Sequence, residues 1–432
     1  MPVYRDPTDK NLYHVHKVQT CSGRPLEVTT TSGATVYMQP AATAGDAFGR
    51  QRISQLYTVF DSQHRYQEND KWTTVTGVSG STTYQVNESV VDLNVTTLSG
   101  DYIYRETKRV FPYQPGKSFL NMTSFVFASG KTNLRQRVGF FNSQNGIFFE
   151  QSGTTNNLVL RSYVSGSVNE TRVAQSDWNY DKFNGAGPTA RTLDPTKANI
   201  LWMDIEWLGV GDVRAGFVVD GHMEIAHIFH NDNQNTTSYM TTAVLPLRQE
   251  IENLGTTASS STAKQICATV ASEGGYEGFT RRYNIATSTT PKTLTSSGVT
   301  YPLVSIRMAS GRTDSVVIPA NLSVALEQTQ NNKPDIIQYR VLLNATLSGT
   351  NWQTHYNGNV QYDTSSTTVS GGTDIIGGYI VSDGTLSLSD VRDFNFQLGR
   401  TQAGVSDVFT VVAAPTISGA KVYTDLSWFE IV

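Results

Sequence analysis

Cysteine is almost absent from this 432-residue chain: Cys21 and Cys267 are the only two, far apart and outside any metal or redox motif. A disulfide scaffold is therefore excluded, and stability must come from core burial and backbone hydrogen bonding. Charge is also scarce. Charged residues make up 16% of the chain against the usual quarter, and the formal net charge is only −4. No basic run is present, so a dedicated DNA- or RNA-binding role is not expected. Long apolar runs are missing too. The opening Met-Pro-Val-Tyr-Arg-Asp-Pro has no apolar signal core, and nothing approaches transmembrane length, so a soluble chain with no membrane partner is expected. Cofactor motifs are lacking as well. There is no Gly-Lys-Ser/Thr phosphate loop and no Gly-x-Ser-x-Gly elbow, and Gly209-Val210-Gly211 leads into a strand rather than a helix. No cofactor is expected.

What fills these gaps is Ser, Thr, Asn, Gln, Gly and Tyr, a mixture that suits sheets with polar outer faces and many turns. The run Ile200–His230 is the clearest instance. Leu201, Met203, Ile205 and Trp207 alternate with Trp202, Asp204 and Glu206, so the first set faces a core and the second a solvated outer face. Two further strands follow, with Val213, Ala215, Phe217 and Val219 inward, then Met223, Ile225, His227 and Phe229. Matching these sets puts Trp207 opposite Val213, Val219 opposite Met223 and Glu206 opposite Arg214, with Asp220-Gly221-His222 as a three-residue loop. An exposed Glu206–Arg214 pair would contribute roughly 0.2–1 kcal/mol and help fix the register.

Strand-and-turn patterning extends over most of the chain. Tyr84–Leu93, Tyr102–Val110, Phe119–Ala128, Arg135–Asn142, Leu158–Val164 and Lys264–Ser272 read as strands. The pairs Phe140-Phe141 and Phe148-Phe149 flank Asn145-Gly146, which predicts a hairpin with rings on both faces, one face covered by a partner. A Thr/Ser-rich stretch at 284–300 marks a boundary, after which Leu303–Met308, Leu322–Gln328, Ile336–Leu343, Tyr379–Val381, Val408–Ala413 and Leu426–Val432 continue the pattern. One short helix is predicted at Leu388–Phe396, capped by Ser389. The fold expected is all-β: an antiparallel sandwich of concanavalin or jelly-roll type over 46–284 and a second β-sandwich over 285–432. Ahead of them, residues 1–45 form an extended arm dotted with Tyr4, Tyr13, His14, His16 and Lys17, which either docks on a neighbouring subunit or packs back on its own domain; we take it as a docking arm.

Two clusters invite chemistry. His222, His227 and His230 suggest a metal, but His222 and His230 lie roughly 26 Å apart along an extended strand and His227 points to the other face. A buried His227 with two surface histidines accounts for them, and no metal is expected. Trp202-x-Asp204-x-Glu206 resembles the catalytic strand of laminarinase-type glycoside hydrolases, Glu-x-Asp-x-Glu. The nucleophile position holds Trp202, and retaining hydrolysis needs two carboxyls about 5–5.5 Å apart. A glycosidase or depolymerase is thus the least favoured reading. Sugar binding without cleavage remains open, with Trp202 as a stacking ring and Asp204 and Glu206 as acceptors.

Three runs carry a family resemblance. Ala47-Phe48-Gly49-Arg50-Gln51-Arg52-Ile53-Ser54, the run Asp204 to Phe217, and Ser272-Glu273-Gly274-Gly275-Tyr276 resemble segments of large virion structural proteins of tailed phages, with marine and cyanobacterial myovirus-like phages nearest. Leu426-Ser427-Trp428-Phe429-Glu430-Ile431 is similar as well. The resemblance implies a non-enzymatic particle component, made in the host cytoplasm and located in the virion. It would be tail-associated (baseplate, fibre or collar) or a capsid-surface decoration protein. Its partners would be other virion proteins and further copies of itself as a trimer or higher ring; the alternative from the Trp202, Asp204 and Glu206 strand is a module that binds host surface glycan.

Overall fold

The computed structural model describes residues 3–5, 12–14, 26–29, 35–38, 45–47, 50, 55–274, 281–327, 329, 334–382, 385–388 and 396–431. Every strand pairing among them is antiparallel, and the one helical element is a 3-10 turn at Gln175–Asp177. The predicted helix at Leu388–Phe396 lies largely outside the described residues; Leu388 itself closes the strand Thr385–Leu388.

The first sandwich has an eight-stranded and a seven-stranded sheet. The larger runs His222–Phe229, Val213–Val219, Asn199–Ile205, Phe119–Val126, Ser261–Glu273, Val90–Val95, Ser81–Gln85, with Leu56–Ser62 also pairing to Ser261–Glu273. The smaller runs Asn169–Ala174, Thr155–Ser162, Gly146–Ser152, Leu134–Phe141, Leu247–Asn253, Tyr102–Thr107, Trp72–Gly77. Alternate side chains of the two sheets interdigitate between them, as a pleated pair requires. Phe125, Leu201, Met203 and Phe217 from one meet Val138, Phe140, Phe149 and Leu158 from the other. Phe149 lies at the centre, 5.3 Å from Phe217 edge-on and 5.6 Å from Phe127 in a stack.

The second sandwich pairs a five-stranded with a six-stranded sheet around Val304, Ile306, Val341, Val411, Leu426 and Trp428. Its strand Arg281–Ala286 pairs with Ala420–Ile431, so this unit takes its first strand from just ahead of residue 285. The sandwiches touch. Arg400 donates from its backbone to Lys108 O at 2.7 Å and from Nη1 to Glu106 Oε1 at 2.6 Å, and Gln397 donates to Val110 O at 2.9 Å.

The N-terminal region departs from a featureless arm. Val3–Arg5 pairs with Leu12–His14, and Leu26–Thr29 with Thr35–Met38, giving two short hairpins. Tyr4 stands opposite Tyr13 and Val3 opposite His14, while His16 and Lys17 lie outside the described residues.

The register of the central hairpins corrects the expectation in two places. Ile205, not Trp207, stands opposite Val213, a slip of two residues that leaves every side chain on its predicted face. The partner of Arg214 is accordingly Asp204, not Glu206. The next turn is two residues, Asp220-Gly221, both at positive φ (49° and 81°), which matches the right-handed strand twist better than a three-residue loop. Val219 therefore faces His222. Ala226 is then inserted as a bulge and sits in the core, after which Ala215 faces His227 and Val213 faces Phe229, the predicted register. Gly216 makes the bulge possible: a Cβ there would meet Glu224 O at 1.9 Å.

Candidate functional site

The acidic strand does not face solvent. Trp202 is 0% exposed, Asp204 1% and Glu206 0%, which overturns the solvated outer face expected for them. Trp202 spends its indole N–H on Glu224 O at 3.2 Å. A ring this buried presents no face for a sugar to stack on. The carboxylates are occupied as well. Asp204 accepts from Ser118 Oγ and pairs with Arg214 across the strand. Arg214 also donates to Gly45 O at 2.6 Å.

Gly45 belongs to a segment that crosses this strand face. Asp46 and Arg50 close a tight turn: Asp46 N donates to Arg50 O at 2.8 Å, and Arg50 N to Asp46 Oδ1 at 2.7 Å. The Arg50 guanidinium then reaches Asp46 Oδ2 and Glu206 Oε1, each at 2.5 Å, Gly116 O at 3.0 Å and Glu273 Oε2 at 3.9 Å. Burial pushes the Glu206 carboxyl up to about 7, aided by the Asp46, Glu273 and Asp204 charges and opposed by Arg50. An acid so poised is what general-acid chemistry needs. Glu206 is nevertheless sealed from solvent, and an indole occupies the position where the paired nucleophile would stand. The arrangement is built to fasten one chain segment to another.

The three runs that carry the family resemblance are therefore not independent. Arg50 of the first run, Asp204, Glu206 and Arg214 of the second and Glu273 of the third come from segments more than 50 residues apart in sequence, yet they meet at this single cluster. Cluster contacts like these, between segments so distant, are not readable from spacing alone.

The burial of the histidines follows the expectation, but the Ala226 bulge puts His222, opposite Val219, on the same sheet face as His227, opposite Ala215. His227 is buried and accepts from Asn179 N at 3.3 Å, and desolvation lowers its pKa to about 4. His222 and His230 are exposed. His230 Nδ1 lies 2.8 Å from Asp212 Oδ2, and Asp232 is close to both.

A second polar layer was not anticipated. On the seven-stranded sheet, Phe141 and Phe148 do turn away from the core, as the hairpin predicted, but what lies directly over them is this same chain. They are 0% exposed beneath the chain's own arginines. The guanidinium of Arg161 lies 5.3 and 4.9 Å from their ring centres, Arg137 lies 5.3 Å from Phe148, and Arg248 5.6 Å from Phe141. Glutamates pair these cations across the strands: Arg137 with Glu150 and Glu250, Arg161 with Glu170, and Arg248 with Glu106. The signal was present as charges two residues apart on strands, Arg135-x-Arg137, Glu170-x-Arg172 and Arg248-x-Glu250.

No protein-family model and no curated relative matches the sequence. Among solved structures, this chain is similar over part of its length to the Emp47p carbohydrate recognition domain (TM-score 0.32, 10% identity, covering 51% of this chain and 98% of that one). It is also similar to lectin II from Ulex europaeus (0.31, 11%, 50% and 97%) and to the CBM2 module of the evolved Dit of Lactobacillus casei BL23 phage J-1 (0.34, 7%, 52% and 99%). The likeness is one of β-sandwich fold alone.

Proposed function

We propose that this protein is a non-enzymatic structural component of a tailed-phage virion, placed at the tail as a baseplate, fibre or collar element. It would assemble with further copies of itself and with other virion proteins through sandwich surfaces and its N-terminal segment. The observation that carries this reading is the meeting of the three family-like runs at one buried ion-pair cluster. The residues that look phage-like are the ones that fasten the N-terminal segment to the sheet, so the resemblance follows an architectural device rather than a reaction centre. The enclosure of Trp202, Asp204 and Glu206 supports the same side.

Peptide mapping of gradient-purified particles, with and without residues 1–40 of this chain, tests the proposal. The full chain should co-purify with tails at stoichiometric level, and the truncated one should be depleted. A chain abundant in infected lysate but absent from purified particles would end this reading. Recovery with tail-less heads would move it to the capsid surface.

A further inference from the structure

The second sandwich holds a groove of about 400 Å³, a size within the range of small-ligand clefts. Its walls come from the connection between Arg281–Ala286 and Lys292–Leu294, from Tyr301, and from the turn after Val360–Asp363. Eight of its ten lining residues are serine or threonine, and none is acidic. The other two are Lys292 and Tyr301.

Lys292 is the anomaly. Its ammonium donates to Pro302 O at 2.6 Å and to Ser366 O at 2.8 Å, so two carbonyls hold it in place. An ammonium has three donors, which leaves one over. No carboxylate lies within ion-pair distance of it among the described residues. Asp363 is the acid whose charge it feels, but that carboxylate is taken up by Asn351 N at 2.8 Å, Ser365 Oγ at 2.6 Å and Ser366. Desolvation accordingly lowers the Lys292 pKa. A half-buried cation is normally paired, because its charge has been drawn out of water. Here the one nearby counter-charge, Asp363, makes no ion-pair contact with the ammonium, and the groove around it is lined by hydroxyls. Tyr301 adds a fixed ring, its hydroxyl held 2.9 Å from Thr295 Oγ1 and accepting from Ser296 N at 2.9 Å.

We propose that this groove binds an anion-bearing saccharide, whose carboxylate or phosphate pairs with Lys292 and whose hydroxyls exchange hydrogen bonds with the serine and threonine lining. A charged group supplies the contacting anion for the third donor of Lys292, and a polyhydroxylated body matches a wall of groups that both donate and accept. Neither feature alone would select a sugar acid over a neutral sugar or a bare anion. This binding would add to the particle role and does not depend on it.

Affinity electrophoresis of the full chain tests the proposal, in gels containing polygalacturonate, a phosphorylated dextran or neutral dextran. Retardation is expected with one or both anionic polymers and not with neutral dextran. Lys292→Gln should weaken it about tenfold, the loss of one charge-assisted hydrogen bond. Thr290→Val, which removes a wall hydroxyl and no charge, should weaken it by a smaller factor and keeps the test open should Lys292→Gln fold poorly. Which anionic polymer is retained assigns the carboxylate or the phosphate. Equal retardation of wild type and both variants, equal retardation in all three gels, or none in any, would overturn the proposal.

Discussion

Replacing Arg214 with alanine asks whether the acidic strand is held by its ion pairs. Asp204 is 1% exposed and Arg214 8%, and the guanidinium serves both the Asp204 carboxylate and Gly45 O. Removing it leaves a buried carboxylate without its cation and a backbone carbonyl without its donor. Breaking a buried pair in this way costs about 3–5 kcal/mol, most of it the penalty of the charge left behind. Arg191–Asp220 is the internal control. Its side chains are 57% and 65% exposed, and Arg191→Ala should cost about 0–1 kcal/mol. Guanidinium denaturation followed by tryptophan fluorescence reads both, since Trp178, Trp202 and Trp207 lie in this sandwich. The paired replacement Asp204→Leu with Arg214→Met should recover most of the loss, because no charge is then stranded. If Arg214→Ala is no more harmful than Arg191→Ala, the cluster is not what holds the segment at 45–50, and the reasoning fails.

Other consequences can be measured in the same way. Glu206 has a folded pKa raised from 4.5 to about 7, so the native state binds its proton more tightly than the unfolded chain does. Its contribution is fully present below the unfolded value and is lost as pH rises through about 7; Glu206→Gln should flatten the stability profile between these limits. His227 runs the other way. Its pKa, lowered to about 4, gives a contribution present above the unfolded value and lost as pH falls towards 4, and His227→Gln should remove that acid-side slope. Phe149→Ala should lower stability by about 3–5 kcal/mol, read as a reduced denaturation midpoint, since the ring is 0% exposed at the centre of the core. Gly216→Ala should disorder the bulge, because its Cβ would sit 1.9 Å from Glu224 O; unchanged amide exchange at 222–228 would contradict this.

Alternation made much of this fold legible. Ile336–Leu343 coincides with its predicted bounds, and the inward set Leu201, Met203 and Ile205 is buried at 1% each. A period of two assigns faces, and a two-residue slip preserves them, which is why the faces held while the partner of Arg214 changed. The bulge at Ala226 was hidden because one inserted residue leaves no compositional trace. The error at the site had a different origin. Trp202, Asp204 and Glu206 alternate with apolar residues, and the pattern alone assigns such a set to solvent. It says nothing of a segment 150 residues earlier that lies over it and brings Arg50 to Glu206. The hairpin with rings on both faces formed as expected, and only its cover was misread, for a similar reason: the cover over Phe141 and Phe148 is made of guanidinium planes, and arginine reads as exposed in any hydropathy pattern.

The contact through Arg400 has a mechanical side. Glu106 grips Arg400 with one oxygen and Arg248 with the other, so a guanidinium of the second sandwich is tied through one carboxylate to the charged layer over Phe141. A pull on the C-terminal unit would reach the seven-stranded sheet sideways, across Glu106, as well as along the covalent chain. Strain could thus pass from one sandwich to the other as if through a clasp, and Arg400→Ala would open that clasp while leaving the Arg400 backbone bond to Lys108 O and the Gln397 bond to Val110 O in place.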